Sequence, residues 1–180
     1  MNKKKIWFLI PSALLPYMVL CALAVVFLST KHPLSQWIME AVFRNNGLLL
    51  VAAVLLFSVL VAALSALCFV TAIRKGWDPV PLARTAVIIK LCQIPAYILV
   101  LALGVLLATS LFTIPFAIAL FALDCLTLVL TGLPIIAAAI NATRKGICAW
   151  NDIIWLILPQ FVFCADVVAA IIFYNKLRKR

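Results

Sequence analysis

Two carboxylates, Asp124 and Asp166, stand inside stretches that otherwise carry no charge. On insertion scales a carboxylate deep in a bilayer costs about 2.5–3.5 kcal/mol, so it faces protein or water and commonly marks an ion or proton path. Asp124, Thr127 and Thr131 recur at i, i+3 and i+7, which places them on one helix face. By helical rise, Asp124 lies about 14 Å and Asp166 about 10 Å from the same membrane surface. The two are therefore expected at similar depth, where packed neighbours would share a proton or bind a cation. The competing reading is that each stays protonated and hydrogen-bonds an adjacent helix as packing glue. Lys90 and Gln93 read as the inner head of another apolar block, where a lysine snorkels to the headgroups. A salt bridge from Lys90 to either Asp is not expected, because both carboxylates are placed nearer the opposite face. Gln160, beside Pro159, interrupts the last block.

Other chemistries find few residues to use. The six cysteines, at 21, 68, 92, 125, 148 and 164, form no C-x-x-C pair, and His32 is the only histidine, with Glu40 alone nearby. No metal or nucleophile constellation and no glycine-rich phosphate loop can be assembled, so an enzyme is disfavoured and no cofactor is expected. Five cysteines lie in apolar blocks as small hydrophobes. Cys148, in a loop beside the bilayer, is a weak candidate for palmitoylation.

The elements that must position these residues follow from composition. The 180-residue chain is 68% hydrophobic and 11% charged, which excludes an ordinary soluble domain. Fifteen basic residues oppose five acidic ones, but they fall between apolar blocks, so membrane topology explains them and a nucleic-acid partner is not expected. Five blocks reach the roughly 20 residues that cross about 30 Å of hydrocarbon, at residues 6–29, 47–73, 91–112, 115–141 and 153–174. Residues 1–180 read as one all-α integral membrane domain, a polytopic bundle of about five spanning helices. Lys3–Lys5 before the first block resemble a secretory signal in charge order. The run is too long and lacks a small-x-small site, so cleavage is not expected.

With the N-terminus inside, nine basic residues are cytoplasmic: Lys3, Lys4, Lys5, Arg74, Lys75, Arg84, Lys90, Arg144 and Lys145. Lys31, Arg44 and the tail's Lys176, Arg178, Lys179 and Arg180 fall outside. The balance favours an inner N-terminus. The basic tail conflicts with an odd number of crossings, and one escape is that the fifth block enters and returns on the same side at Pro159-Gln160. Its 22 residues are too few for two full crossings, so five spans are retained.

Arg74-Lys75-Gly76 and Arg144-Lys145-Gly146 echo one another, each followed by Trp and Asp (Trp77, Asp78; Trp150, Asp152). The echo extends to Gln93 with Pro95 and Pro159 with Gln160. It fits a repeat of two helix pairs, as some transporters use; the plainer reading is that inner loops favour these residue types. Ser58, Ala62, Ser65 and Ala66 offer a close-packing face. Pro11, Pro16, Pro134 and Pro159 should kink or loosen their helices. Trp37, Ile38, Ala41, Val42 and Phe43 are spaced for an interfacial amphipathic helix between Thr30 and Asn46, and Gly76–Lys90 is expected as a loop with a similar tendency over Val87–Ile89.

IPSALLPY at Ile10–Tyr17, KLCQIPAYI at Lys90–Ile98 and FVFCADVV at Phe161–Val168, with a basic end, resemble an uncharacterised family of small bacterial multi-pass membrane proteins. The resemblance covers essentially the whole chain. It implies a bacterial plasma membrane, marks Lys90, Gln93, Pro95, Cys164 and Asp166, and brings no activity with it. The leading expectation is a non-enzymatic accessory or interaction bundle, whose partners are the lipid bilayer and a second copy or another membrane protein. The alternative is a small proton- or cation-coupled transporter or channel using Asp124 and Asp166.

Overall fold

The computed structural model describes residues 9–161 and 165–179 and contains helices joined by turns, with no strand among them. Lys3–Lys5, Cys164 and Arg180 lie outside the described residues, as does the side chain of Asp152. In chain order the helices are α1 (Ile10–Leu28), α2 (Pro33–Ala41), α3 (Gly47–Arg74), α4 (Pro79–Ala108), α5 (Ile114–Arg144), α6 (Trp150–Ile157) and α7 (Ala165–Arg178). A 3-10 turn, Leu158–Phe161, follows α6 directly. Four of them, α1, α3, α4 and α5, are long and apolar enough to cross a membrane.

Proline and glycine set the helix ends. A proline occupies the first or second position of α1, α2, α4 and α5, where its missing N–H is no loss. Asn46 caps α3 by accepting from the Leu48 N–H at 2.9 Å. At the other end of α3, Gly76 adopts φ +55°, its N–H bonds Ile73 O and the Trp77 N–H bonds Ala72 O. Gly146 repeats this at φ +68°, with Gly146 N–H on Thr143 O and Ile147 N–H on Ala142 O. Both are left-handed glycine caps of the Schellman type.

The Arg-Lys-Gly echo is therefore a repeated helix stop, and the likeness ends there. The first stop is followed by the 30-residue α4, the second by the eight-residue α6. Nor do α3 and α4 pair: α1 and α5 both touch α3 and α4, and touch each other, so α3 and α4 sit at opposite corners. The repeat of two helix pairs is not present.

Two boundaries differ from expectation. Helix α4 begins at Pro79, twelve residues ahead of the expected Leu91, so the supposed loop Gly76–Lys90 is mostly helix. Arg84 and Lys90 ended the apolar run in sequence, yet Arg84 is exposed while Lys90 points inward beside Ala86, Val87 and Ile89. The fifth block is not one helix. It breaks at Pro159, and both its ends return to the same apolar cluster: Cys148 and Ile153 at its start, Phe173 and Leu177 at its finish, with Leu9, Ala72, Leu82 and Ala142. Those four residues come from the start of α1, the end of α3, the start of α4 and the end of α5. Through the 3-10 turn, α6 and α7 fold back on one another as a hairpin, and α7 lies against α4 and α5. The start of α1 and the end of α7 thus share one end of the bundle.

Smaller expectations divide. Helix α2 forms where an amphipathic helix was expected, with Leu34, Trp37 and Val42 exposed and Ser35 buried. Ser58 and Ser65 lie on the buried stripe of α3 with Val61, Cys68 and Ala72, whereas Ala66 is exposed. Cys148 is buried in the apolar cluster, which removes the access that palmitoylation needs.

Candidate functional site

The interior of the bundle is polar along one line. Lys90, Gln93 and Tyr97 recur at i, i+3 and i+7 on α4, the same spacing as Asp124, Thr127 and Thr131 on α5, and all six are buried. The hairpin adds Gln160 from its 3-10 turn and Asp166 from the first turn of α7, both fully buried. Every residue singled out from sequence (Lys90, Gln93, Asp124, Thr127, Thr131, Gln160 and Asp166) is therefore inside.

The centre is an ion pair that the sequence argued against. Lys90 Nζ donates to Asp166 Oδ2 at 2.6 Å, with the two side chains 0% and 1% exposed. The depth argument failed because it assumed a straight crossing for the fifth block. In the hairpin, Asp166 stands on the returning arm, about 18 Å by helical rise from the end of α7. Lys90 is about 16 Å from the start of α4, so the two meet in register. Lys90 therefore does not snorkel. The other oxygen, Asp166 Oδ1, accepts from the Val167 N–H at 2.7 Å, and the N-terminus of α7 adds a favourable dipole. The anion is held on three counts.

Prolines dictate the next contacts. Pro16 has no N–H to give Ser12 O, four residues back, so that carbonyl lacks its helical donor. Gln93 Nε2 supplies one at 2.8 Å, binding α4 to α1. The Tyr97 hydroxyl donates to Gln93 Oε1 at 3.1 Å. Around Pro95, Tyr17 of α1 donates to Cys92 O at 2.5 Å. The hairpin packs on α5 at Gly132, where an added Cβ would stand 3.7 Å from that of Gln160, an ordinary van der Waals contact. The segments Ile10–Tyr17, Lys90–Ile98 and 161–168 all contribute here, through Ser12 and Tyr17, through Lys90, Gln93 and Tyr97, and through Asp166.

Asp124 stands apart. It makes no hydrogen bond among the described residues, its Oδ1 is buried, and the residue is 4% exposed. The neighbouring hydroxyls are committed elsewhere, Thr127 Oγ1 to Leu123 O at 2.9 Å and Thr131 Oγ1 to Thr127 O at 3.0 Å. Both oxygens of Asp166 already accept a hydrogen bond, from Lys90 and from the Val167 N–H, and no hydrogen bond joins the two carboxylates among the described residues. Asp124 instead borders a cavity of about 10 Å³ between α1, α4 and α5, room for about one water.

Beyond this column, the two glycine-capped ends bind each other. Asn141 Nδ2 donates to Ala72 O at 2.9 Å and Trp77 O at 3.1 Å, Arg144 Nη1 to Ile73 O at 3.0 Å, and Lys145 Nζ to Asp78 Oδ1 at 2.5 Å. Lys145 holds the exposed Asp78 carboxyl below its ordinary range, through that hydrogen bond first and its charge second.

Sequence reasoning missed Ser12, Tyr17, Tyr97 and Asn141. Tyr97 was legible as the third member of the Lys90 stripe, and Ser12 as the residue four before Pro16. No signal marked Asn141. Among the described residues no group of three His, Cys, Asp or Glu side chains could hold a metal ion. Compared with known proteins, the chain matches no family model, no curated protein and no solved structure.

Proposed function

We propose that this chain is a small membrane transporter or channel that carries protons or a small cation along its interior polar column. The observation that carries the reading is the broken fifth block. Non-helical backbone at membrane depth is tolerated where it is covered by protein or lines a water path, and discontinuous helices with buried charges form the coupling sites of many transporters. Here a re-entrant hairpin delivers Gln160 and Asp166 to facing polar stripes on α4 and α5, and one carboxylate of the column, Asp124, has no hydrogen-bond partner among the described residues. At 180 residues the path would be completed by a second copy. The reading is non-enzymatic, since the polar side chains of the column other than Asp124 are largely spent on one another or on backbone.

For orientation we place the start of α1 and the end of α7, which share one end of the bundle, in the cytoplasm. Arg74, Lys75, Arg84, Arg144, Lys145, Lys176, Arg178 and Lys179 share the end where α1 starts, while Lys31 and Arg44 lie at the other. That asymmetry supports a cytoplasmic N-terminus, and the hairpin removes the conflict over the basic tail. Placement in a bacterial plasma membrane rests on the family resemblance.

The test is flux through purified protein in liposomes under imposed pH, Na+ and K+ gradients, comparing the parent with Asp124→Asn and Asp166→Asn. Flux from the parent that well-folded Asp124→Asn abolishes supports transport. A second reading, a non-enzymatic accessory or interaction bundle, is favoured by the small size of the Asp124 cavity, about 10 Å³. No flux from well-folded parent protein for any tested ion would select it.

A further inference from the structure

We propose that Asp124 is a proton-binding site that takes a proton in preference to a metal cation, and that Lys90–Asp166 is a fixed anchor with no part in exchange. The inference rests on the transport reading for its purpose and names that site's substrate. The geometry divides the two carboxylates. Asp166 has both oxygens occupied, by Lys90 Nζ and by the Val167 N–H. Asp124 has a buried oxygen with no donor.

The walls of its cavity are Pro16 and Val19 of α1, Val100 of α4, and Leu120, Leu123 and Thr127 of α5. Of the groups that face it, α4 brings the Tyr97 phenol and α7 brings Asp166, whose charge Lys90 already takes up. From α1 come only Pro16 and Val19. Among the described residues no cation pairs with Asp124, and burial without a cationic partner favours the protonated form of a carboxylate.

A metal ion would need several more oxygens, of the order of six around a hard cation. The cavity offers one carboxylate, the oxygen of Thr127 and room for about one water. A proton fits that space, and one water beside Asp124 Oδ1 suffices to deliver or remove it. By helical rise Asp124 is about 15 Å from the start of α5 and about 30 Å from its basic end. Exchange is thus nearer the side opposite the glycine caps.

The experiment is infrared spectroscopy of the full chain in liposomes, following the carbonyl stretch of protonated carboxylic acid from neutral to alkaline pH, with and without Na+ or K+. It is paired with proton flux on the same preparations. The expected result is an acid band present at neutral pH, lost at alkaline pH, unmoved by either cation, absent in Asp124→Asn and retained in Asp166→Asn. Asp124→Glu should restore a shifted band, and tryptophan fluorescence checks that the variants fold. A band that persists in Asp124→Asn, or that Na+ or K+ displaces, overturns the proton site whatever the flux. The expected band with no flux of any ion supports the proton site and overturns the transport reading.

Discussion

Removing one member of the Lys90–Asp166 pair should destabilise the protein with opposite pH dependence for the two partners. Both side chains are shut off from solvent. In Lys90→Met, Asp166 keeps only the Val167 N–H; in Asp166→Asn, the ammonium of Lys90 loses its carboxylate. Breaking a buried pair this way costs about 3–5 kcal/mol. The stranded group escapes by becoming neutral, which bounds the loss. For a stranded carboxylate in general that means taking up a proton against an ordinary pKa of about 3.9, at about 1.4 kcal/mol per pH unit. The bound is about 4 kcal/mol at pH 7 and about 1.5 kcal/mol at pH 5. For Lys90 it means releasing a proton against about 10.4, so the bound is about 4.6 kcal/mol at pH 7 and about 2 kcal/mol at pH 9. Lys90→Met should therefore recover toward acid and Asp166→Asn toward alkali. Lys90→Met combined with Asp166→Leu should be close to the parent or above it, since apolar replacements of buried pairs are often neutral or stabilising. The assay is SDS-driven unfolding in mixed micelles at pH 5, 7 and 9, read by tryptophan fluorescence. Equal losses at all three pH values, or single losses below about 1 kcal/mol, would refute a desolvated pair.

Three further outcomes are expected. Gln93→Leu leaves Ser12 O without a donor and should cost about 1–3 kcal/mol in the same assay, whereas adding Pro16→Ala returns a backbone N–H to that carbonyl; strictly additive losses would contradict the contact. Gly146→Ala should cost about 1–2 kcal/mol through its left-handed backbone alone, because no atom lies within 4 Å of the added Cβ, and unchanged stability would speak against the cap. Asp78 has a depressed pKa in the folded protein, so its pairing with Lys145 contributes above the unfolded value of about 3.9 and is lost as pH falls through the lower folded value. Asp78→Asn should thus cost below about 1 kcal/mol at pH 7 and nothing in strong acid, and a loss that grew toward acid would reverse the sign.

The helical membrane class and the ends of α3 and α5 were legible because long apolar runs between punctuating residues leave few alternatives. The polar interior was legible too, since charged and amide side chains inside apolar blocks have nowhere else to go. What the sequence hid was pairing. Lys90 and Asp166 are 76 residues apart, and their meeting depends on whether residues 153–174 cross or turn back, a choice that hydropathy does not record. The start of α4 was hidden for a related reason. Lys90 ended the apolar run in the sequence, yet in the fold its carboxylate partner lets it sit in the middle of a helix.

The turn-back itself has a physical account. As a straight helix the 22-residue block would be about 33 Å long, enough to cross, and a proline in a membrane helix is tolerated when neighbours satisfy the freed backbone groups. Pro159 alone therefore does not decide the matter. A crossing would move Asp166 away from Lys90, leave Lys90 buried without an anion at about 3–5 kcal/mol, and, in the proposed orientation, carry Lys176, Arg178 and Lys179 to the side that disfavours them. The hairpin avoids all three penalties. It also fits the space it enters, where Gln160 packs beside Gly132 and the returning α7 covers α4 and α5. The ion pair then acts as a specificity device, selecting one topology from two that the hydrophobic pattern alone allows.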